Sequence, residues 1–380
     1  MVQESKSKVL IVGAGPAGCM SAYFLQNDFE VEVFDKNSPL LTLLPTGGGR
    51  CNLAHNEFDF KELAKNYPRG EKFLYSVFSR FSTSDTIDFF KQMGVETYIQ
   101  DDGRIFPKSN SATDLRNTFL NKLENVKFKK EEVLRINKKD KGYEAVTNKS
   151  SYYADFVIIS IGGHSSFELV RLLGHNIIDL KPSLTALKTK EDFSQLAGVS
   201  INGVLFTHKG VSGPEIYRLS SLHARDNFPY KLSFNFFNIE NFQEILNSNP
   251  HKLIRNLLAE YLPKSFVKYV LKDLQISETI ECCKINGKIR DKITDRLADF
   301  EITVESTVTD GEVVMSGGVD LKEVDSKTLE SKLLKHIYFC GEVLDIDGFC
   351  GGFNLQNCWS DGFIAADSIL HANSIKYIEA

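Results

Sequence analysis

The sequence lacks the features that mark membrane-spanning, disulfide-bonded and zinc-bound proteins. Its 380 residues contain no apolar run long enough to cross a bilayer. No signal-peptide pattern precedes the first apolar segment, so we expect a cytoplasmic protein. The seven cysteines include no Cys-x-x-Cys pair, and the eight histidines form no ligand-spaced pair. We therefore expect neither a disulfide framework nor a metal site.

The chain also lacks an excess of positive charge. Its 45 Lys and Arg residues against 50 Asp and Glu residues give a net charge of −5, which does not favour bulk binding of nucleic acid. One local stretch is basic. It lies within residues 126–153, whose alternating pattern predicts antiparallel strands. A solvated hairpin face explains the basic stretch, and an RNA-binding face is the alternative. Its lysines are Lys127, Lys129, Lys130, Lys138, Lys139 and Lys141.

The strongest pattern present lies near the start of the chain. An apolar run at residues 8–12 predicts a strand buried on both faces, and the sequence Gly-Ala-Gly-Pro-Ala-Gly follows it at residues 13–18. A helical stripe and a second strand ending in an acid come next. This order is the dinucleotide-binding fingerprint: the glycines allow a tight turn, a close approach to pyrophosphate and close helix–strand packing. Its predicted binding residues are Gly13, Gly15, Pro16, Ala17, Gly18, Asp35 and Lys36.

Three further segments favour FAD over NAD as the bound dinucleotide. Three consecutive glycines at residues 47–49 suggest backbone that touches a flat or anionic group. A late strand at residues 337–340 ends in Gly341-Glu342, and a glycine-rich turn then leads into a helix. That acid can bind a ribityl hydroxyl, and the helix start can hold negative charge on the flavin. The cofactor residues predicted from these segments are Gly48, Gly49, Arg50, Cys51, Asn52, Gly162, Gly341, Glu342, Gly352, Phe353, Asn354, Leu355 and Gln356.

Two arginines are the candidate catalytic residues. Arg50 directly follows the three glycines and is predicted to stabilise the cofactor or an anionic substrate oxygen, with a surface ion pair as the alternative. Arg104 could bind a substrate carbonyl, with a structural ion pair as the alternative. Cys51 has no partner for a disulfide-reductase mechanism, so we expect it to pack. His55 could donate a proton or anchor flavin, but we expect a solvated loop histidine.

With these motifs in place, the sequence resembles the bacterial BaiN-like and aminoacetone-oxidase-like family of NAD(P)/FAD-dependent oxidoreductases over nearly its whole length. The segments that carry the resemblance are residues 13–18, 46–52, 103–107, 210–214, 316–319, 328–332 and 338–356. The resemblance implies an α/β fold: a glutathione-reductase-type (Rossmann-like) FAD-binding domain with an inserted β-barrel-like domain and a small helical domain. The boundaries that we predict are residues 1–184 and 334–380, residues 185–240 and 298–333, and residues 241–297, respectively. The residue pattern itself predicts mostly helix at residues 58–123, with a start signal from Ser82 to Asp85, and strand at residues 301–324.

The resemblance also implies an activity and its partners. It implies reduction of an activated C=C bond. Our hypothesis is hydride transfer from flavin N5, fuelled by NAD(P)H, with Arg50 or Arg104 stabilising the enolate oxygen. No second fingerprint follows a strand, so NAD(P)H, if it is the donor, must bind transiently near the flavin. The alternatives are a dihydrouridine-forming enzyme acting on ribosomal RNA, an oxidase of a small amine, and a non-enzymatic FAD-binding protein. The expected partner is a small-molecule substrate, with ribosomal RNA as the alternative and no membrane.

Two segments depart from the family pattern. Residues 38–42 read Ser-Pro-Leu-Leu-Thr where members usually carry Gly-Arg-Lys, and residues 164–168 replace a longer Gly/Ser-rich segment. The first change removes positive charge beside the glycine-rich loop. Both changes leave the predicted FAD site intact. They weaken the inference that this chain acts on the same substrate as a given family member.

Overall fold

The chain forms two compact units, one of which is built from both of its ends. The computed structural model describes residues 6–308 and 314–379, with side chains as far as residue 374. The first unit comprises Met1–Lys181 and Met315–Ala380, and the second comprises Pro182–Val314. Residues 315–333, which we expected in the inserted domain, belong to the first unit. The cause is backbone pairing: Asp320 N–H donates to Asn176 O at 3.0 Å, and Val319 N–H donates to Val343 O at 2.9 Å.

Strands and helices are interspersed along the whole described part of the chain. The strands are β1 Lys8–Val12, β2 Glu30–Asp35, β3 Ala54–His55, β4 Thr97–Ile99, β5 Arg104–Pro107, β6 Val126–Lys130, β7 Val133–Lys138, β8 Tyr143–Thr147, β9 Ser151–Ala154, β10 Phe156–Ile159, β11 Ile177–Ser183, β12 Leu187–Thr189, β13 Ser200–Ile201, β14 Val204–Thr207, β15 Gly210–Ser212, β16 Tyr230–Phe234, β17 Phe300–Thr307, β18 Val314–Val319 and β19 Ile337–Phe339. The helices are α1 Pro16–Leu25, α2 Thr46–Gly49, α3 Phe60–Ala64, α4 Glu71–Phe78, α5 Thr83–Gln92, α6 Ala112–Leu120, α7 Glu168–Leu172, α8 Pro214–Leu222, α9 Phe242–Ser248, α10 Ile254–Leu258, α11 Lys264–Asp273, α12 Gly287–Ala298 and α13 Phe353–Glu379. Within the described ranges, no helix combines the length and the apolar character that a membrane span requires.

A five-stranded parallel sheet forms the centre of the first unit. Its order is β19-β10-β1-β2-β6, and every neighbouring pair is parallel. The four residues of β10, Phe-Val-Ile-Ile, are all buried, as a strand covered on both faces requires. We expected antiparallel strands over residues 126–153. That prediction is confirmed for β7, β8 and β9 and is wrong for β6, which follows α6 and adds to the sheet edge beside β2.

Helices α1 and α13 pack closely because small residues meet where they cross. The Ser21 hydroxyl donates to Gly362 O at 2.8 Å. A Cβ atom placed at Gly362 would lie 2.5 Å from Ala17 O, so a larger residue there would force the helices apart. The indole of Trp359, also on α13, is wholly buried and donates to Leu53 O at 3.1 Å. The first contact holds α13 against α1, and the second holds it against the segment before β3.

The second unit has a core of its own. Its strands form an antiparallel sheet in the order β13-β14-β15-β12-β17-β16. Leu257 and Phe266 of the helices share one buried cluster with Val211 and Phe300 of the sheet. The segment at residues 241–297, which we expected as a separate helical domain, therefore lies in the same compact unit as the sheet. We also expected strand from residue 301 to residue 324. Residues 309–313 of that stretch lie outside the described residues.

Candidate functional site

The turn after β1 has the geometry that the fingerprint predicts. Gly13 has φ +105°, and its N–H donates to Phe34 O at 2.8 Å. A Cβ atom at Gly13 would lie 2.3 Å from Ser160 O, and one at Gly18 would lie 2.1 Å from Gly13 O. Both positions therefore require glycine for the protein's own packing.

Gly15 differs, because nothing in the described protein explains it. Its backbone is extended at φ −76° and ψ −174°, which any residue can adopt. A Cβ atom there would meet no atom within 4 Å. Helix α1 begins next to it with Pro16, has no side-chain cap and carries no acid in its first turn. A Cβ atom would fill open space beside free helix-start N–H groups, so this cradle fits a pyrophosphate.

Asp35 closes the first half of the site. Its carboxylate accepts the Ala14 N–H at 2.8 Å and the Asn37 N–H at 2.7 Å. The carboxylate therefore lies against the fingerprint turn and keeps further lone pairs for the hydroxyl groups of a ribose. Lys36, which we also predicted to bind the cofactor, is exposed.

The three consecutive glycines form a left-handed turn. Gly47, Gly48 and Gly49 have φ values of +59°, +68° and +84°. A Cβ atom would meet nothing within 4 Å at Gly48, and only Leu44 O, at 3.9 Å, at Gly49. The backbone at Gly48 and Gly49 therefore faces open space, as contact with a flat or anionic group requires, whereas Gly47 packs against the Phe106 ring, 2.8 Å from where its Cβ atom would lie.

Two residues after this turn are buried. Cys51 is wholly buried at φ +62°, and burial raises the pKa of its thiol to about 12. A neutral, buried thiol agrees with the packing role that we expected. Asn52 is 9% exposed, and its Oδ1 atom is buried without a hydrogen-bond partner. Such an orphaned acceptor fits the N–H donors of a bound ring system.

The two candidate catalytic arginines share one aromatic ring. The guanidinium carbon of Arg50 lies 4.1 Å from the ring centre of Phe106, and that of Arg104 lies 5.5 Å from it. Arg50 donates to Gly47 O at 3.2 Å, and no carboxylate of the described residues lies within ion-pair distance of it. Arg104 forms an ion pair with Asp102 at 2.7 Å, which is the alternative that the sequence left open.

Two more glycine turns lie at the carboxyl ends of neighbouring strands. Gly162 follows β10 at φ +74° with open space around it, and Gly341 follows β19 at φ +75°. A Cβ atom at Gly341 would lie 3.0 Å from the Ala17 side chain, so this turn meets the start of α1. The Glu342 carboxyl accepts the Gly163 N–H, and burial raises its pKa. The neighbouring parallel strands β1, β10 and β19 therefore place Gly13, Gly162 and Gly341 together at their carboxyl ends.

The first turns of α13 contact both the Gly341 turn, where a Cβ atom would lie 3.4 Å from Cys358 Sγ, and β3. A Cβ atom at Gly352 would lie 2.4 Å from Ala54 O, so the two backbones touch. The His55 ring stacks on Phe353 with ring centres 4.7 Å apart, and its Nδ1 atom lies 3.1 Å from Gly351 O. The prediction of a solvated loop histidine is therefore wrong, because His55 packs against this turn. The segment after the three glycines and the turn before α13 are thus brought together.

The remaining predicted residues of α13 have structural contacts. The Asn354 side chain accepts the Gly348 N–H at 2.8 Å and donates to Gly348 O at 3.1 Å, which closes the glycine-rich turn. Gln356 is wholly buried and donates to the Ser360 hydroxyl at 2.9 Å. Its Oε1 atom has no partner. Leu355 is half-buried beside the core.

Two acids of this region have partners that the sequence did not reveal. Asp347 is wholly buried in a bidentate ion pair with Arg69. Asp361 is wholly buried on α13 and accepts the Gly341 N–H at 3.0 Å. The signal for Asp361 was its place on a helix with Cys358, Ile364 and Ala365 three and four residues away, where an acid without a partner is unusual.

A parallel sheet whose strands end in glycine turns beside an uncapped helix start defines a Rossmann-type dinucleotide-binding site. The chain matches the family described as HI0933-like protein Rossmann domain over residues 7–368 and belongs to that family. It is an FAD-dependent oxidoreductase, with FAD as its cofactor. The resemblance that the sequence suggested is confirmed.

Curated relatives match the chain over nearly its full length at low identity. A ribosomal RNA dihydrouridine synthase of Escherichia coli (strain K12) is 28% identical, covering 96% of this chain and 98% of the relative. A 3-dehydro-bile acid delta(4,6)-reductase of Clostridium scindens is 25% identical, covering 94% and 98%, respectively. Among solved structures, a flavocytochrome c3 fumarate reductase in an open conformation has a TM-score of 0.49 at 12% identity, covering 96% of this chain and 78% of that chain. The family assignment rests on the sequence match.

Proposed function

We propose that this protein reduces a carbon–carbon double bond conjugated to a carbonyl group, with NAD(P)H as the source of electrons. When bound, FAD supplies hydride transfer at its N5 atom. The observation that carries the proposal is Arg50, a guanidinium held beside open glycine backbone without a carboxylate partner among the described residues.

Arg50 is suited to stabilise the negative charge that develops on the carbonyl oxygen during such a reduction. Its stacking on Phe106 and its bond to Gly47 O restrict the side chain to one direction before substrate arrives. A preorganised cation at the developing oxyanion stabilises the transition state more than the ground state. Arg104 is the second candidate. Its ion pair with Asp102 partly neutralises its charge.

The names of both curated relatives support this class of reaction. A delta(4,6)-reductase and a dihydrouridine synthase each saturate a C=C bond in conjugation with a carbonyl group. Steroid-like enones and uracil differ in size and polarity but share that electronic feature. We therefore propose the reaction class for this chain and leave the acceptor to experiment.

The test is an anaerobic acceptor screen with the flavin-loaded protein. NADPH or NADH should bleach the flavin bands, and an enone or uracil-type acceptor should restore them. Arg50→Ala should keep FAD and lower kcat about 10²- to 10³-fold, as loss of an oxyanion donor does. Arg80→Ala is the matched control, because Arg80 is an exposed arginine paired with Asp367. Bleaching that no conjugated acceptor reverses, or fast reoxidation by oxygen with an amine as donor, would contradict the proposal.

Ribosomal RNA is the second candidate acceptor, favoured by the name of the Escherichia coli relative. The basic stretch gives it limited support. Lys127 lies 2.6 Å from a Glu30 carboxylate oxygen, and Lys139 lies 2.7 Å from one of Glu144, so part of its charge is neutralised. Deleting the gene and measuring dihydrouridine in ribosomal RNA separates the candidates. Loss of the reduced base favours RNA, and its retention favours a small molecule.

For the second unit, we infer a barrel-like domain with a small helical part at residues 241–297. The antiparallel order of six strands supports it. So does the irregular register between Lys188 and Thr189, since such bulges bend a sheet.

A further inference from the structure

The carboxyl group of Asp361 lies wholly inside the first unit, behind the turn that follows β19. One of its oxygens, Oδ2, accepts the Gly341 N–H at 3.0 Å and the Asn357 side-chain N–H at 3.1 Å. The other, Oδ1, is buried with no partner. Asp361 therefore contacts the backbone of the Gly341-Glu342 turn directly, and the proposed reaction gives it no role.

Apart from these two N–H donors, the surroundings of Asp361 do not stabilise a negative charge. The ionisable groups that face it are the Tyr67 hydroxyl, from the segment before α4, and the thiols of Cys340 and Cys358. Burial raises the pKa of each of these three groups, so they stay neutral. Glu342, on the turn itself, is also acidic. None of these groups is a cation, and α1, which contains no charged residue, contributes Ala17, Met20, Ser21 and Phe24 to its crossing with α13.

Two further acceptors near Asp361 lack donors as well. The Oε1 atom of Gln356 and the Oδ1 atom of Asn357 are buried without partners, one turn before Asp361 on the same helix. Burial without a neighbouring cation disfavours the carboxylate more than its two N–H donors favour it, so a buried acid in such a place binds a proton. Burial raises the pKa of Asp361 to about 8.

We propose that Asp361 is a positioning residue of the FAD site, whose protonated carboxyl group keeps the Gly341-Glu342 turn free of added negative charge so that FAD binds. Ionisation of Asp361 would place a second negative charge beside Glu342, and FAD itself is an anion. FAD affinity should therefore fall as the pH rises above the neutral range. The proposal rests on FAD binding and on no property of the acceptor.

The sign of the effect on stability follows from linkage. In the unfolded chain an aspartate ionises near pH 4, whereas in the folded protein Asp361 keeps its proton until about pH 8. The folded state therefore binds one more proton between these values. The stability that Asp361 confers is fully present below pH 4 and is lost as the pH rises to about 8, by about tenfold in the folding equilibrium constant per pH unit.

The experiment measures the dissociation constant for FAD from pH 6 to 9.5, with wild-type protein, Asp361→Asn and Asp367→Asn. Asp361→Asn keeps the shape and the acceptor oxygen but cannot ionise. Asp367 lies on the same helix, partly exposed and paired with Arg80, so Asp367→Asn is the matched control. We expect affinity to fall above about pH 8, by up to tenfold per pH unit, in wild type and Asp367→Asn, and to stay flat in Asp361→Asn.

An equal alkaline fall in wild type and Asp361→Asn overturns the proposal, as does a flat profile in wild type. If that fall disappears only in Glu342→Gln, Glu342 is the titrating group and Asp361 is not. If Asp361→Asn does not fold, infrared spectra of flavin-free wild-type protein with isotope-labelled aspartate report whether the buried carboxyl group is protonated. A protonated-carboxyl band present at pH 6 and lost by pH 9.5 supports the proposal, and its absence at pH 6 overturns it. No acceptor is used, so failure here is distinct from failure of the proposed reaction.

Discussion

Two aspartates near the C-terminus form ion pairs with arginine in very different surroundings. The Asp347 side chain is 0% exposed and that of its partner Arg69 is 11% exposed. The Asp367 and Arg80 side chains are 25% and 36% exposed. A buried charge left without its partner is strongly destabilising, whereas an exposed pair contributes little.

We predict that Asp347→Asn lowers the free energy of unfolding by about 3 kcal/mol, because it leaves Arg69 charged and poorly hydrated. Asp367→Asn should lower it by less than about 1 kcal/mol, since water replaces the lost partner. Urea denaturation of both variants in the flavin-free form measures the difference. Equal losses in the two variants would show that the Arg69–Asp347 pair is no more important than a surface pair.

The role of Asp347 could not be read from the sequence. An Asp-Ile-Asp-Gly turn is typical of exposed loops, and Arg69 is 278 residues away in the chain. Only the folded backbone, where these residues form an isolated bridge, makes the pair visible. By contrast, the packing role of Cys51 was predictable, because no second thiol stood at a useful spacing.

At the scale of elements, the turn between β1 and α1 contains one glycine that folding requires and another that we assign to FAD binding. Gly18 is required by its contact with Gly13 O, whereas Gly15 borders open space. The two glycines lie three residues apart in one motif and should therefore fail in different ways when they are replaced by alanine.

We predict that Gly15→Ala leaves the stability of the flavin-free protein unchanged or raises it by up to about 1 kcal/mol, since its φ suits alanine. Its added methyl group should displace the phosphates and weaken FAD binding roughly tenfold or more, the loss of about one charge-assisted hydrogen bond. Gly18→Ala should lower stability by about 1–3 kcal/mol through overpacking. Thermal unfolding of flavin-free protein and FAD titration check both. A destabilised Gly15→Ala variant that binds FAD normally would contradict this assignment.

The elements that were predicted correctly carry local signals. The capping box that starts α5 pairs Ser82 with Asp85 three residues later, and the structure contains it. The order strand, glycine turn, helix, strand at the start of the chain was equally plain. Strand β6 was not, because its alternating residues fit either direction and only its crossover after α6 makes it parallel to β2. His55 was misjudged because its partner, Phe353, is distant in the sequence.

At the scale of the whole molecule, the two units differ in how the chain builds them. The first unit needs both ends of the chain, which the paired glycine motifs predicted. Its boundary at residue 315, rather than at residue 334, depends on backbone bonds of residues 319 and 320 that leave no mark in the residue types. The second unit is one continuous segment with its own buried cluster.

We therefore predict that the fragment 182–314 folds by itself and unfolds cooperatively, with a free energy on the order of 5 kcal/mol. It should bind no FAD, because the described glycine turns of the site lie in the first unit. Fragment 1–181 is the matched control. It lacks β19 and α13, so β10 loses its outer neighbour and α1 loses the helix that covers Ala17 and Ser21. We expect it to unfold without a cooperative transition. Circular dichroism during urea titration distinguishes the two fragments. A cooperative transition for 1–181 but not for 182–314 would contradict the prediction, because the second unit would then be the one that cannot fold alone.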